Sequence, residues 1–181
     1  MAKSHFLLNI KTKDSLKQIS DKLASKSVKF GFLKSKDQRY PDGESVIKVA
    51  MQNEYGAIVK VSDDWRAKAK RKGITLPETW NIPSRPFFQY TWDKQFNRYK
   101  QAIGNYYKSL ANGKDVGADR FLGLLGKEAV EDVQQTITNA GTIFSDKPND
   151  WKTVRIKDSA SPLLDSGLMR QSVTFQVVDN A

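Results

Sequence analysis

Residues 120–140, RFLGLLGKEAVEDVQQTITNA, put Leu122, Leu125, Ala129, Val133, Ile137 and Ala140 three and four apart, with Gly141 as a terminator. That spacing draws one apolar face along a helix, and such a face needs a second apolar layer to cover it. A longer helix is expected just upstream, in IPSRPFFQYTWDKQFNRYKQAIGNYYKSL (82–110). Ser84 can cap it, Pro86 is tolerated in the first turn, and Phe88, Trp92, Phe96 (or Tyr99), Ile103, Tyr106 and Leu110 make a stripe. The stripe is almost wholly aromatic and reads as core against a sheet, because rings that stack on bases stand exposed on strands or loops. The two helices are expected to pair over one sheet face.

The strands are shorter. HFLLNI (5–10) reads as a strand, and Leu16, Ile19 and Leu23 mark an amphipathic helix after it. In SVKFGFLK, Val28, Phe30 and Phe32 alternate as in a half-buried strand, with Gly31 at a bulge or close approach. Pro41, Asp42 and Gly43 make a turn, Val46, Val49, Ala50 and Met51 one side of a helix, and Gly56 its left-handed stop. AIVKV is a brief strand. Near the C-terminus, Leu163, Leu164, Leu168 and Met169 fit a short helix starting at Pro162 or Asp165, and Val173, Phe175 and Val177 alternate in a last strand. The expected fold is α+β: an antiparallel or mixed sheet, two long helices packed on one face, and extended loops or arms. Residues 1–181 read as a single domain, since a chain of 181 residues that is 39% hydrophobic buries one ordinary core.

Much chemistry is excluded by residue count. There is no cysteine and one histidine, His5, so disulfides, thiolate nucleophiles, the usual triads and Cys- or His-rich metal sites have no residues to build them. Neither GxxxxGK[ST] nor GxGxxG occurs. A metal nuclease needs only carboxylates and a lysine, but Asp42 and the D-x-K of Asp150, Trp151 and Lys152 lie too far apart, and short patterns arise by chance in a chain that is 28% charged. Glu128, Glu131 and Asp132 read as the solvated side of the second long helix. No cofactor is expected. No run approaches the roughly 18 apolar residues of a membrane span, so a soluble, non-secreted protein without membrane contact is expected.

The 30 Lys and Arg against 20 Asp and Glu leave a formal charge of +10, which favours acidic partners. The basic residues cluster in 58–81, at Lys60, Arg66, Lys68, Lys70, Arg71 and Lys72. This segment is expected as a hairpin or arm leaving the main body, because such a cluster cannot be buried unpaired. It suits a solvated loop, an acidic protein surface or a phosphate backbone. Residues 142–160, with Trp151, are polar and rich in turn formers, and read as a long functional loop.

Three stretches together resemble the minor tail, or tail-completion, family of tailed bacteriophages: VAMQNEYGA (49–57), IPSRPFF (82–88) and PLLDSGLMRQSVTFQV (162–177). The likeness spans roughly residues 28–178. It implies a non-enzymatic virion protein at the head-proximal end of the tail, in the neck, completing the tail and helping to join it to the head. It implies a homo-oligomeric ring, with tail terminator, tail tube and head-connector proteins as partners and DNA near the lumen. Its place is then the virion, and the host cytoplasm during assembly. Rival readings are a tail terminator or other morphogenesis factor capping the tube, and a DNA-binding protein using the basic arm. The resemblance gives structural roles to Asn53, Glu54, Tyr55 and Gly56 at a helix end, to Pro83, Arg85, Pro86 and Phe87 at a helix start, and to Leu164, Asp165, Gly167, Arg170 and Ser172. Under it Arg85 pairs with Asp165, Gly167 permits a tight turn, and the arm residues with Trp151 meet partners.

Overall fold

The computed structural model describes residues 25–180 together with Lys17 and Asp21. The expected strand at 5–10 and the stripe of Leu16, Ile19 and Leu23 lie outside the described residues. The described fold is α+β, with seven helices and two small antiparallel two-stranded ribbons. In chain order these are β1 (Lys26–Gly31), α1 (Val46–Tyr55), β2 (Ala57–Lys60), α2 (Asp63–Arg71), β3 (Thr79–Ile82), α3 (Phe87–Ala111), α4 (Ala118–Thr138), α5 (Ala140–Ile143), α6 (Trp151–Lys157), α7 (Leu168–Gln171) and β4 (Thr174–Asp179). In place of one sheet, β1 pairs with β4 and β2 with β3.

The chain divides into two units. The first holds residues up to Phe30, then Gln95–Ala129 and the end of the chain from Phe175. Here Tyr106 stacks flat on Phe121, ring centres 4.1 Å apart, and Tyr106, Leu110 and Leu122 are buried with Val28 and Val177 against them. Tyr99, Leu125 and Ala129 form a second buried group, packed by Phe30 and Ala102. The helix meets the ribbon closely at Gly126, where a Cβ would sit 2.5 Å from Phe175 Cδ2 and 2.7 Å from Val28 Cγ2. Only a residue without a side chain fits such an approach. Lys26 Nζ pairs with Asp119 and Asp179 at 3.0 and 2.8 Å.

The second unit comprises Gly31–Lys94 and Val130–Thr174. Phe87 is its most enclosed ring, fully buried and edge-on to Phe32 at 6.3 Å. Gly31, at φ +128°, brings backbone against Phe88, the close approach expected of it. Thr91 Oγ1 donates to Phe87 O and lies 2.7 Å from Thr136 Oγ1, a buried polar clasp in an otherwise apolar setting.

Every position of the expected α4 stripe is buried. The α3 stripe keeps Tyr99, Tyr106 and Leu110 and is turned by about one residue only in its first turns. Its buried members are Phe87, Thr91, Tyr99, Tyr106 and Leu110, whereas Trp92 and Phe96 are each 44% exposed. The helix is apolar on two adjoining sides, and the buried line runs through a threonine whose hydroxyl is satisfied by its own helix. Two terminators also shift. Gly141 lies inside α5 instead of ending α4, and the last short helix begins at Leu168, after Gly167, instead of at Pro162 or Asp165.

Candidate functional site

Helix α1 buries Val46, Ala50 and Glu54, a spacing of four that makes one inward face and ends it on a carboxylate. Glu54 is only 8% exposed. Its two oxygens accept N–H bonds from Phe88 at 2.9 Å and Gln89 at 3.0 Å, the unsatisfied donors of the first turn of α3. A carboxylate there also faces the positive end of the helix dipole. Glu54 therefore does the capping expected of Ser84. Ser84 Oγ instead donates back to Glu54 O at 2.8 Å, and the helix begins at Phe87, after Pro86.

The return path is equally constrained. Asn53 O accepts the Arg85 N–H at 2.6 Å, and Asn53 Nδ2 donates to Val49 O at 2.8 Å. Gly56 has φ 76° and ψ 155°, so it stops α1 and runs directly into the extended strand β2. A Cβ on it would lie 3.0 Å from Ser84 N and 3.2 Å from Ile82 O. Both the backbone angle and the space thus require glycine. Pro83 lies half-buried between β3 and the buried Arg85.

Arg85 corrects one expectation. It does not pair with Asp165. Its Nε donates to Lys147 O at 2.8 Å, and one terminal nitrogen donates to Pro148 O at 2.9 Å and Asn149 Oδ1 at 3.4 Å. Neutral carbonyl-type oxygens hold the guanidinium, and burial pulls its pKa below the ordinary arginine value. Asp165 stays exposed, half-buried Leu164 precedes it, and Gly167 makes its turn at φ 78°. Arg170 donates to Thr138 Oγ1 at 3.3 Å, Ser172 Oγ donates to Leu168 O at 2.8 Å, and α7 packs on α1. Tyr55 is 76% exposed and takes no part in this knot.

The basic segment is a hairpin with a helix between its strands. β2 and β3 pair antiparallel, Ala57 opposite Ile82 and Lys60 opposite Thr79. Ser62 caps α2 by accepting from Trp65 N. Val61, Ala69, Ile74 and Leu76 form a small buried cluster, completed by Ile156 from α6 and flanked by Trp65 and Trp80. Residues 142–160 are therefore not a loop throughout. Asp150 caps α6 by accepting from Lys152 N at 2.8 Å, which accounts for the acid of the D-x-K.

The two segments expected to reach outward thus meet each other. Lys72 Nζ bonds Arg155 O and the Asp158 carboxylate, and Lys152 Nζ donates to Thr75 O. Of the arm cations, Lys68 pairs with Asp64 at 2.8 Å, Arg66 and Arg71 donate to the carbonyls of Glu78 and Ala67, and Lys60 and Lys70 are exposed. Trp151 is 60% exposed beside Lys152.

A cleft of about 920 Å³ opens in the same unit, lined from α1, the hairpin, α6 and the segment before α7. Its walls include Tyr40, Trp65, Trp80, Arg85, Lys157 and Asp165, four of which no sequence signal singled out. Burial, and then the charges of Asp165 and Asp42, push the Tyr40 hydroxyl up to about 12. Burial pushes Lys157 down. Asp165 opposes that shift and Arg85 adds to it. Among the described residues no group of three or more His, Cys, Asp or Glu is placed to hold a metal, and no helix is long and apolar enough to cross a membrane. Comparison with protein-family models, with curated proteins and with solved structures returns no match to this chain.

Proposed function

We propose that the chain is a structural subunit of a tailed-bacteriophage virion, working at the head-proximal end of the tail to complete it and help it meet the filled head. The observation that carries this reading is the knot of the three family-like stretches. VAMQNEYGA supplies the Glu54 cap, IPSRPFF receives it and buries Arg85, and the stretch from Pro162 packs α7 on α1. The first two stretches bond each other and the third packs on the first, so the reading treats the three as one structural device.

A subunit of this kind works by shape and contact area. Copies in a ring use head-to-tail interfaces that close by rotation, and the reading has the two long helices packed on one face of a sheet. Met51, Tyr55 and Ile58 give apolar contact area beside the knot, Tyr55 and Ile58 being 76% and 77% exposed. Neighbours of the same kind, tail terminator, tail tube and head-connector proteins are the partners, in the virion and earlier in the host cytoplasm. The ion pairs and carbonyl bonds that engage Arg66, Lys68, Arg71 and Lys72 favour a protein-facing arm over one reserved for phosphates.

Deleting the coding sequence from the phage or prophage that carries it is expected to leave filled heads and separate tails, which the purified chain then joins in vitro. Joined, infectious particles formed in its absence overturn the reading.

A further inference from the structure

Lys157 stands apart from the other charged groups of its unit. It is the last residue of α6, half-buried in the wall of the cleft, and none of its neighbours among the described residues gives it a hydrogen bond or an ion pair. Arg85, by contrast, spends its donors on the carbonyl-type oxygens of residues 147–149. Asp165 is close enough to act on Lys157 through its charge but forms no salt bridge with it. A half-buried ammonium has given up part of its water without gaining a partner, and an anionic oxygen brought from outside supplies a charge-assisted bond.

The rest of the cleft narrows the class of ligand. Asp42, Glu44, Asp150 and Asp165 line it together with Lys48, Lys60, Arg85 and Lys157, and Lys48 and Arg85 are already engaged, so the positive charge left over suits a single carboxylate better than the nearly double charge of a phosphate. Trp65, Trp80, Val59, Ile82 and Met169 supply apolar wall. A volume near 920 Å³ lies at the upper end of the roughly 300–1,000 Å³ usual for ligand sites.

We propose that this cleft is a binding site for an organic carboxylate, the carboxylate bonding Lys157 Nζ and the attached apolar or aromatic group lying against Trp65 and Trp80. The inference does not depend on the virion reading, since it rests on the cleft alone. The chemistry is shared by a free aromatic acid and by a peptide ending in an aromatic residue with a free carboxylate.

The probes are 3-phenylpropionate, an N-acetylated tetrapeptide ending in phenylalanine, the amides of both, and inorganic phosphate. Binding is read by calorimetry and by the Lys157 side-chain resonance. At least one acid is expected to bind about tenfold more tightly than its amide, the gain of one charge-assisted bond. That acid should move the Lys157 titration upward, and phosphate should bind more weakly than it. The arm that binds better identifies the source, small acid or chain terminus. In Lys157→Met the acid and its amide should bind equally. Equal binding of acid and amide by the unaltered protein overturns the proposal without reference to any variant. So does the absence of saturable binding at about 10 mM, a concentration that detects even millimolar affinity.

Discussion

Glu54 and Arg85, both buried, and Lys157, half-buried in the wall of a cleft, are charged groups of a single structural unit treated in opposite ways. Glu54 meets two helix N–H groups and Arg85 meets three oxygens, so each buried charge has its bonds. Lys157 has none among the described residues, and it lines a cleft. Removing a partner from a satisfied buried charge leaves an orphan and costs heavily, whereas removing an unsatisfied charge can cost nothing. The difference separates what holds the fold from what is left available to something outside it.

The largest effect is expected at the knot. Glu54→Ala leaves the Phe88 and Gln89 N–H groups without acceptors and should cost about 3 kcal/mol, the sum of a lost cap and a lost charge-assisted bond. Glu54→Gln keeps an acceptor oxygen and should cost about half as much. Urea unfolding measures both, and a loss under about 0.5 kcal/mol for Glu54→Ala, the size of a surface change, would erase the contrast with Lys157. Gly126→Ala touches neither charge site and gives a purely steric scale. Overpacking against Phe175 and Val28 should cost about 2 kcal/mol.

Lys157→Met should leave stability at neutral pH unchanged or raise it by about 1 kcal/mol. The sign follows from the lowered pKa. An ammonium whose folded-state value is depressed penalises folding while it is charged, so the penalty is full at neutral pH and is relieved as pH rises toward the ordinary lysine value of 10.5. The gap between variant and parent should therefore close at high pH in a series of unfolding curves. The smallest effect at neutral pH is expected from Tyr40→Phe. Its raised hydroxyl contributes stability below pH 10.0 that is lost as pH climbs to about 12. The variant should lack that part of the alkaline decline, and identical alkaline curves would remove Tyr40 and its neighbour Asp165 from the electrostatics of the cleft.

Legibility followed the physics of each segment. The α4 stripe was readable because its buried positions are apolar and those flanking them mostly are not. The α3 stripe was ambiguous because rings occupy two adjoining faces, and the buried line passes through Thr91, whose partner Thr136 lies on another helix. Residues 142–160 looked like a loop because α6 buries only Ile156, and its cap and its packing on the hairpin are tertiary facts. The family-like stretches pointed at Glu54 and Arg85 but not at their bonds, since a carboxylate that caps a helix more than thirty residues away leaves no local pattern. Lys157 is one of 30 basic residues, and only the cleft distinguishes it.

The most direct test is a titration of Lys157 Nζ in the ligand-free protein, followed by NMR of the side-chain amine with Lys157→Met to assign the signal. A midpoint clearly below the ordinary lysine value of 10.5 is expected of an ammonium that burial has left without a partner. A midpoint at or above that value would mean that Lys157 is paired or solvated within its own chain, and the contrast between a closed knot and an open cleft would be contradicted.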